Sequence, residues 1–136
     1  MTAPQPGWDS MLELSIDELT ATRVVGHVDI GERHHQPYGI VHGGVWASIV
    51  ESVASHGASV AAHEKTGSMA VVGLSNTTDF LRPHRSGRVR ATGTPVMTGR
   101  TQQLWLVEIV AEDTGKLIAR GQVRLQNLPD RPEQRD

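Results

Sequence analysis

From residue 43 to about residue 63, apolar side chains return at helical intervals: Trp46, Ile49, Val50, Val53, Gly57, Val60 and Ala61. The opposite side carries Ala47, Ser48, Ala54, Ser55, Ala58 and Ala62, small residues rather than charged ones. A helix of this kind is predicted to be wrapped by other elements rather than laid on a surface. Lys65-Thr66-Gly67 ends it, with Gly67 as the C-cap. Around the helix the period is two. Leu12, Leu14 and Ile16 alternate with Glu13, Ser15 and Asp17. Thr20-Ala21-Thr22 is a short connection, and Val24, Gly26, Val28 and Ile30 form a second alternating run. Beyond the helix, residues 69–81 form a long strand with Val72, Leu74, Asn76, Thr78 and Phe80 on one face. Arg82-Pro83 closes it, and Ser86-Gly87 turns the chain. In residues 88–97, Val89, Ala91 and Gly93 alternate with Arg88, Arg90 and Thr92, and Pro95 marks an edge or a bulge. Residues 101–111 are apolar on both faces, which predicts a central strand. After the Asp113-Thr114-Gly115 hairpin turn, Leu117, Ala119, Gly121, Val123 and Leu125 give the last alternation.

The order is two strands, one long helix, then four strands, with no repeat and no βαβ alternation. It predicts an α+β fold: one curved antiparallel sheet of about six strands around one long central helix. The strand edges and outer sheet face then need cover, which predicts an oligomer. Residues 1–10, with Pro4, Pro6 and Gly7, read as a flexible arm, residues 11–128 as one domain, and residues 129–136 as a tail.

Composition narrows the partners. A chain of 136 residues makes one domain, and a net charge of −2 leaves no basic footprint for nucleic acid or for a membrane surface. Without cysteine there is no disulfide, thiolate metal site or cysteine nucleophile, which suits the cytoplasm. No stretch reads as a signal sequence or a membrane span. Seven histidines raise the question of a metal. His34 and His35 are adjacent and point differently, and no acid–histidine spacing suits a ligand set, so no metal site is expected.

The chemistry concentrates between Gly39 and Ser55. Glu51 is the one acidic residue within the helical pattern, and its neighbours one turn away are Ala47, Ser48, Ala54 and Ser55. No lysine or arginine of its own helix can pair with it. On a buried helix such a carboxylate costs several kcal/mol unless something compensates, which makes it a candidate base. The alternative is a structural carboxylate bonded to Ser48 or Ser55. Gly43 and Gly44 open the helix, where N–H groups lack partners and the helix dipole is positive. That end suits a developing oxyanion, or else the glycines only make a tight turn. His42 is placed to cap the helix or orient the turn. Gly43 and Glu51 are eight residues apart, about 12 Å along a helix. One carbonyl cannot touch both groups in the same chain, so a site using both must draw them from two subunits.

Val41-His42-Gly43-Gly44, followed by Glu51 and Ser55, resembles the hotdog-fold acyl-CoA thioesterases of the phenylacetate-pathway and 4-hydroxybenzoyl-CoA type. The resemblance spans roughly residues 12–128 and includes the segment from Asn76 to Pro83. It implies hydrolysis of an acyl- or aryl-CoA thioester at a dimer interface, in a homodimer or a homotetramer built as a dimer of dimers. Glu51 would be nucleophile or general base, and the Gly43 N–H would polarise the carbonyl. Ser55 would hold the carboxylate or the water, and Gln36 would contact the thioester region. Gly44 and Asn76 would line the substrate. Arg82, Arg85, Arg88 and Arg100 are candidates for the CoA phosphates, with Gly99-Arg100-Thr101 the best placed. CoA is part of the substrate, and no other cofactor is implied. A related hydratase or dehydratase would pair an acid with a histidine, but Glu51 and His56 project about 140° apart on a helix. A non-catalytic acyl-CoA-binding module would pass its signal to a second domain, and the sequence carries none. Five aromatic residues leave the acyl group open.

Overall fold

The structure is a computed structural model that describes residues 7–129. Its elements run α1 (Trp8–Leu12), β1 (Ser15–Leu19), β2 (Val24–Ile30), a 3-10 turn (Glu32–His34), α2 (Gly43–Thr66), β3 (Val71–Phe80), β4 (Gly87–Thr98), β5 (Gln102–Ala111) and β6 (Leu117–Asn127). The six strands form one antiparallel sheet in the order β1-β2-β4-β5-β6-β3. The sheet curves round α2, the hotdog arrangement that the sequence pattern predicts. The strand after the helix, β3, crosses to the far edge and pairs with β6, so α2 lies across the concave face.

Alternation explains the core. Trp105, Val107, Ile109 and Ala111 of β5 and Ala119, Val123 and Leu125 of β6 point inward and are buried with Ile49, Val50 and Val53 of α2. Trp105 is fully buried, with its Nε1–H donated to Gln103 Oε1 at 2.8 Å. Its ring lies against Gly57, where a Cβ would come within 2.4 Å of the ring. The glycine therefore brings helix and sheet together. Burying a ring of that size contributes about 4–6 kcal/mol as an upper bound. β5 is interior, as its two apolar faces imply, and the irregularity at Pro95 is a register shift between Pro95 and Met97 within β4. Gly67 caps α2 at φ 80°, donating its N–H to the His63 carbonyl. At the β2–β4 pair, the Arg88 guanidinium bonds Asp29 and holds its carboxyl below the usual range.

Three expectations change. The flexible arm does not extend to Ser10: Trp8–Leu12 is one helical turn closed by Glu13 in the left-handed region. Leu12, Leu14 and Ile16 are buried as expected, but strand pairing starts only at Ser15. Three alternating apolar residues do not separate a strand from a single turn followed by an extended link. Residues 1–6 of the arm and 130–136 of the tail lie outside the described residues. Second, α2 is not wrapped all round. Ala47, Ser48, Glu51, Ser52, Ser55, Ser59 and Val60 form a half-open flank. Small residues there permit close approach without saying that this chain supplies the cover.

Third, β3 does not keep one face throughout. Its register with β6 shifts between Gly73 and Ser75, leaving Leu74 as a bulge. One extra residue reverses the side-chain alternation. Before the bulge, Val71 and Gly73 face α2; after it, Asn76, Thr78 and Phe80 do. Val72 and Leu74 are left exposed.

Candidate active site

Glu51 projects from the half-open flank of α2 into the space between α1 and β3. A cavity of about 250 Å³ there is lined by Trp8, Ala47, Ser48, Glu51, Ser52 and Asn76. The carboxylate is half-buried rather than sealed in the core, so the expectation of an acid on a fully buried face gives way to one at a cavity wall. Asn76 reaches it from β3: Nδ2 donates to Glu51 Oε1 at 3.1 Å and to the Ala47 carbonyl at 3.0 Å. Thr78 donates its hydroxyl to Asn76 Oδ1 at 2.7 Å, which fixes the amide with its NH2 toward Glu51. Glu51 Oε2 faces Gly73, and no hydrogen-bond partner for it exists among the described residues. One oxygen is thus anchored, and the other carries no hydrogen bond among the described residues.

The serines do not hold Glu51. Ser48 donates to the Gly44 carbonyl at 2.7 Å, and Ser52 donates to Asp9 of α1. Ser55 is half-buried one turn beyond Glu51, with no hydrogen-bond partner among the described residues. The structural alternative of a carboxylate tied to Ser48 or Ser55 is therefore absent. Asn76, expected on the substrate side, lines the cavity and is also the partner of the acid.

The amino end of α2 forms a second group. His42 is the N-cap, and its Nδ1 accepts the Gly44 N–H at 2.8 Å. That bond uses the Gly44 donor, so Gly44 is not free to bind substrate through its N–H. It also requires the ring proton on Nε2. The Gly43 N–H has no partner among the described residues, as expected of the first helical position. Phe80 crosses beside it: a Cβ on Gly43 would meet the Phe80 ring at 2.4 Å. Gln36 is anchored in the approach loop, where its Oε1 accepts the Tyr38 N–H and its own N–H bonds the Ile40 carbonyl.

Next to this helix end, residues 82–86 run against Val41, whose N–H bonds the His84 carbonyl at 2.9 Å. Arg82, His84, Arg85 and Lys116 line a cavity of about 390 Å³ there. Arg100 and Thr101 sit elsewhere. Asn127 bonds the Arg100 carbonyl at 2.9 Å and donates its backbone N–H to Thr101, at the β6 end remote from Ala119. Eight residues of strand separate the two ends, about 26 Å. The structure thus brings together Glu51 with Asn76, and Gly43 with His42 and Phe80, but keeps these groups apart within one chain. Arg100 and Thr101 lie at the end of β6 where Asn127 pairs with Val71 of β3, away from the Gly43 group.

His56 donates from Nδ1 to the Ser52 carbonyl at 2.7 Å, which turns it onto its own helix and away from Glu51. His34 is buried, accepting the Gly31 N–H and bonding the Leu12 carbonyl. Among the described residues no group of three or more His, Asp or Glu could hold a metal ion, and no helix is long and apolar enough to cross a membrane. No sequence pattern assigns a role to Trp8, Gly73 or Thr78. Trp8 stands in a Pro-Gly-rich segment that reads as an arm. Gly73 carried a signal, a lone glycine inside a strand pattern.

Comparison with known proteins agrees with this geometry. Residues 38–118 match the family described as the thioesterase superfamily. The Mycobacterium tuberculosis protein Rv1847 is 44% identical over 125 residues, 92% of this chain and 89% of that one. Its solved structure superposes with a TM-score of 0.85, covering 91% of this chain and 98% of the other. The thioesterase HI1161 of Haemophilus influenzae superposes with a TM-score of 0.80 at 32% identity, covering 91% of this chain and 85% of that one. A 1,4-dihydroxy-2-naphthoyl-CoA thioesterase of Arabidopsis thaliana is 40% identical over 100 residues, 73% of this chain and 61% of that protein. The chain belongs to the thioesterase superfamily and is a hotdog-fold thioester hydrolase.

Proposed function

We propose that this protein hydrolyses an acyl- or aryl-CoA thioester to a carboxylate and free CoA, at a site completed by a second copy of the chain. The observation that carries the reading is the pairing of Glu51, anchored through Oε1 and unbonded at Oε2, with a Gly43 N–H that has no partner among the described residues, on the same continuous helix. In a symmetric pair each subunit lends its Glu51 to the other's Gly43. β3 is the surface for that pairing. It is a ten-residue edge strand carrying exposed Val72, Leu74 and Phe80, and Leu81 beyond it is also exposed. An open, apolar edge of this length calls for a partner strand.

The thioester carbonyl sits at the Gly43 N–H, which donates as negative charge develops on the oxygen. Glu51 Oε2 of the partner takes the proton of an attacking water, or attacks the carbonyl carbon to give an anhydride that water then opens. Either route breaks the C–S bond and releases the CoA thiolate. A thiolate is a stable leaving group, an ordinary thiol having a pKa of about 8.5, so no second acid is required. This separates the reading from a hydratase, which needs an acid–histidine pair that the orientation of His56 does not supply. Arg82, Arg85 and Lys116 suit the CoA phosphates, beside the same helix end as Gly43. The subunit that polarises the carbonyl would then also hold most of the CoA.

The test is a panel of CoA thioesters followed by release of free thiol. The name of the Arabidopsis relative makes a bicyclic aromatic acyl the first member, beside benzoyl, phenylacetyl and short aliphatic groups. At least one CoA ester should turn over, with weaker binding of its pantetheine analogue, which lacks the nucleotide. Binding without hydrolysis across the panel would favour the non-catalytic module.

A further inference from the structure

Gly73 has no backbone reason to be glycine. It lies in an edge strand, and its φ is not among the positive values of the chain. Glycine inside a strand costs stability and commonly marks a close approach. What approaches here is the acid. A Cβ at Gly73 would lie 2.4 Å from Glu51 Oε2, and the next two atoms it would meet, at 3.4 and 3.8 Å, belong to the same carboxylate. The bulge at Leu74 creates this contact. In an unbroken strand, residues 73 and 76 would face opposite ways. With one extra residue between them, both face Glu51, Asn76 as donor to Oε1 and Gly73 as bare backbone beneath Oε2.

We propose that Gly73 is a positioning residue that sets the length of acid this site can use: its missing side chain is the room that a glutamate, rather than a shorter aspartate, requires at position 51. The inference rests on the catalytic reading of Glu51. The crowded group is the tip of a flexible side chain, so an added methyl moves the carboxylate off Asn76 and leaves the fold in place. Shortening the acid by one carbon, about 1.5 Å, withdraws it from the added methyl.

The test is a cycle of Gly73→Ala, Glu51→Asp and the double variant, assayed on the best CoA ester of the panel. Gly73→Ala should lower kcat by about 100-fold with KM within about twofold, the penalty of a misplaced reacting group. Melting temperature and oligomeric state should stay as in the unmodified protein. In the double variant the losses should not multiply, and turnover should exceed the product of the single effects by at least about tenfold. Gly73→Ser, a second small side chain, should follow the alanine. Near-normal turnover in Gly73→Ala, or losses that multiply in the double variant, would overturn the proposal. Failure of the underlying reading shows separately, as full turnover in Glu51→Gln.

Discussion

Glu51→Gln should lower kcat by about 1,000-fold, within the range that a positioned base contributes. The substitution keeps the volume of the side chain and an oxygen for the Asn76 Nδ2 donor, so the anchor at 3.1 Å survives. It removes only the capacity of Oε2 to take a proton or attack a carbonyl. The side chain is half-buried at a cavity wall and makes no salt bridge among the described residues, so little stability depends on its charge. The melting temperature should change by no more than about 2 °C. Substrate binding, measured by displacement of an unreactive CoA thioether, should be retained. Turnover within about threefold of the unmodified enzyme would remove Glu51 from the reaction and leave the carboxylate a structural partner of Asn76.

The second large effect is expected at the helix end. Gly43→Pro removes the one N–H assigned to the carbonyl oxygen and keeps a residue favoured at the first position of a helix. His42, at φ −64° and ψ 134°, already has the extended conformation that a following proline demands. Crowding complicates the change, because any Cβ at this position meets the Phe80 ring. Gly43→Ala carries the same Cβ and retains the N–H, so the ratio of the two variants isolates the donor. Gly43→Pro should turn over about 100-fold more slowly than Gly43→Ala, the loss seen when one oxyanion donor is deleted. Equal rates in the two variants would mean that the N–H does not meet the reacting oxygen.

Much of this arrangement was legible in the chain, for reasons that differ by element. α2 and the strands β2, β4, β5 and β6 show their periods because each has one face in a single shared core. The amino end of α2 was legible because glycine pairs after a histidine have few structural uses, and His42 does cap the helix. α1 was not, since five residues are too few to show a helical period. The face of β3 is not legible because a bulge adds one residue without changing composition, and the alternation is reversed for every residue up to Leu74. It is also why the fit of Gly73 to Glu51 stayed hidden: the two meet only through the altered register. Asn76 was singled out, but its role depends on a contact 25 residues away in sequence that no local pattern reports. Which end of a strand lies near the helix amino terminus is likewise not written in any local pattern, so the position of Arg100 relative to Gly43 could not be read from the chain.

The central claim is that one active site draws Glu51 from one subunit and Gly43 from another. It rests on the unbroken helix Gly43–Thr66, which holds the two residues about 12 Å apart along its axis. Subunit complementation tests it most directly. Chains carrying Glu51→Gln are co-expressed with chains carrying Gly43→Pro, each with its own affinity tag, and the doubly tagged mixed dimer is isolated. Each parent dimer has both of its sites damaged. In the mixed dimer one site has both native residues and the other has neither, so about half of the unmodified rate should return. A mixed dimer no faster than the sum of its parents would contradict the shared site and place the whole reaction within a single chain.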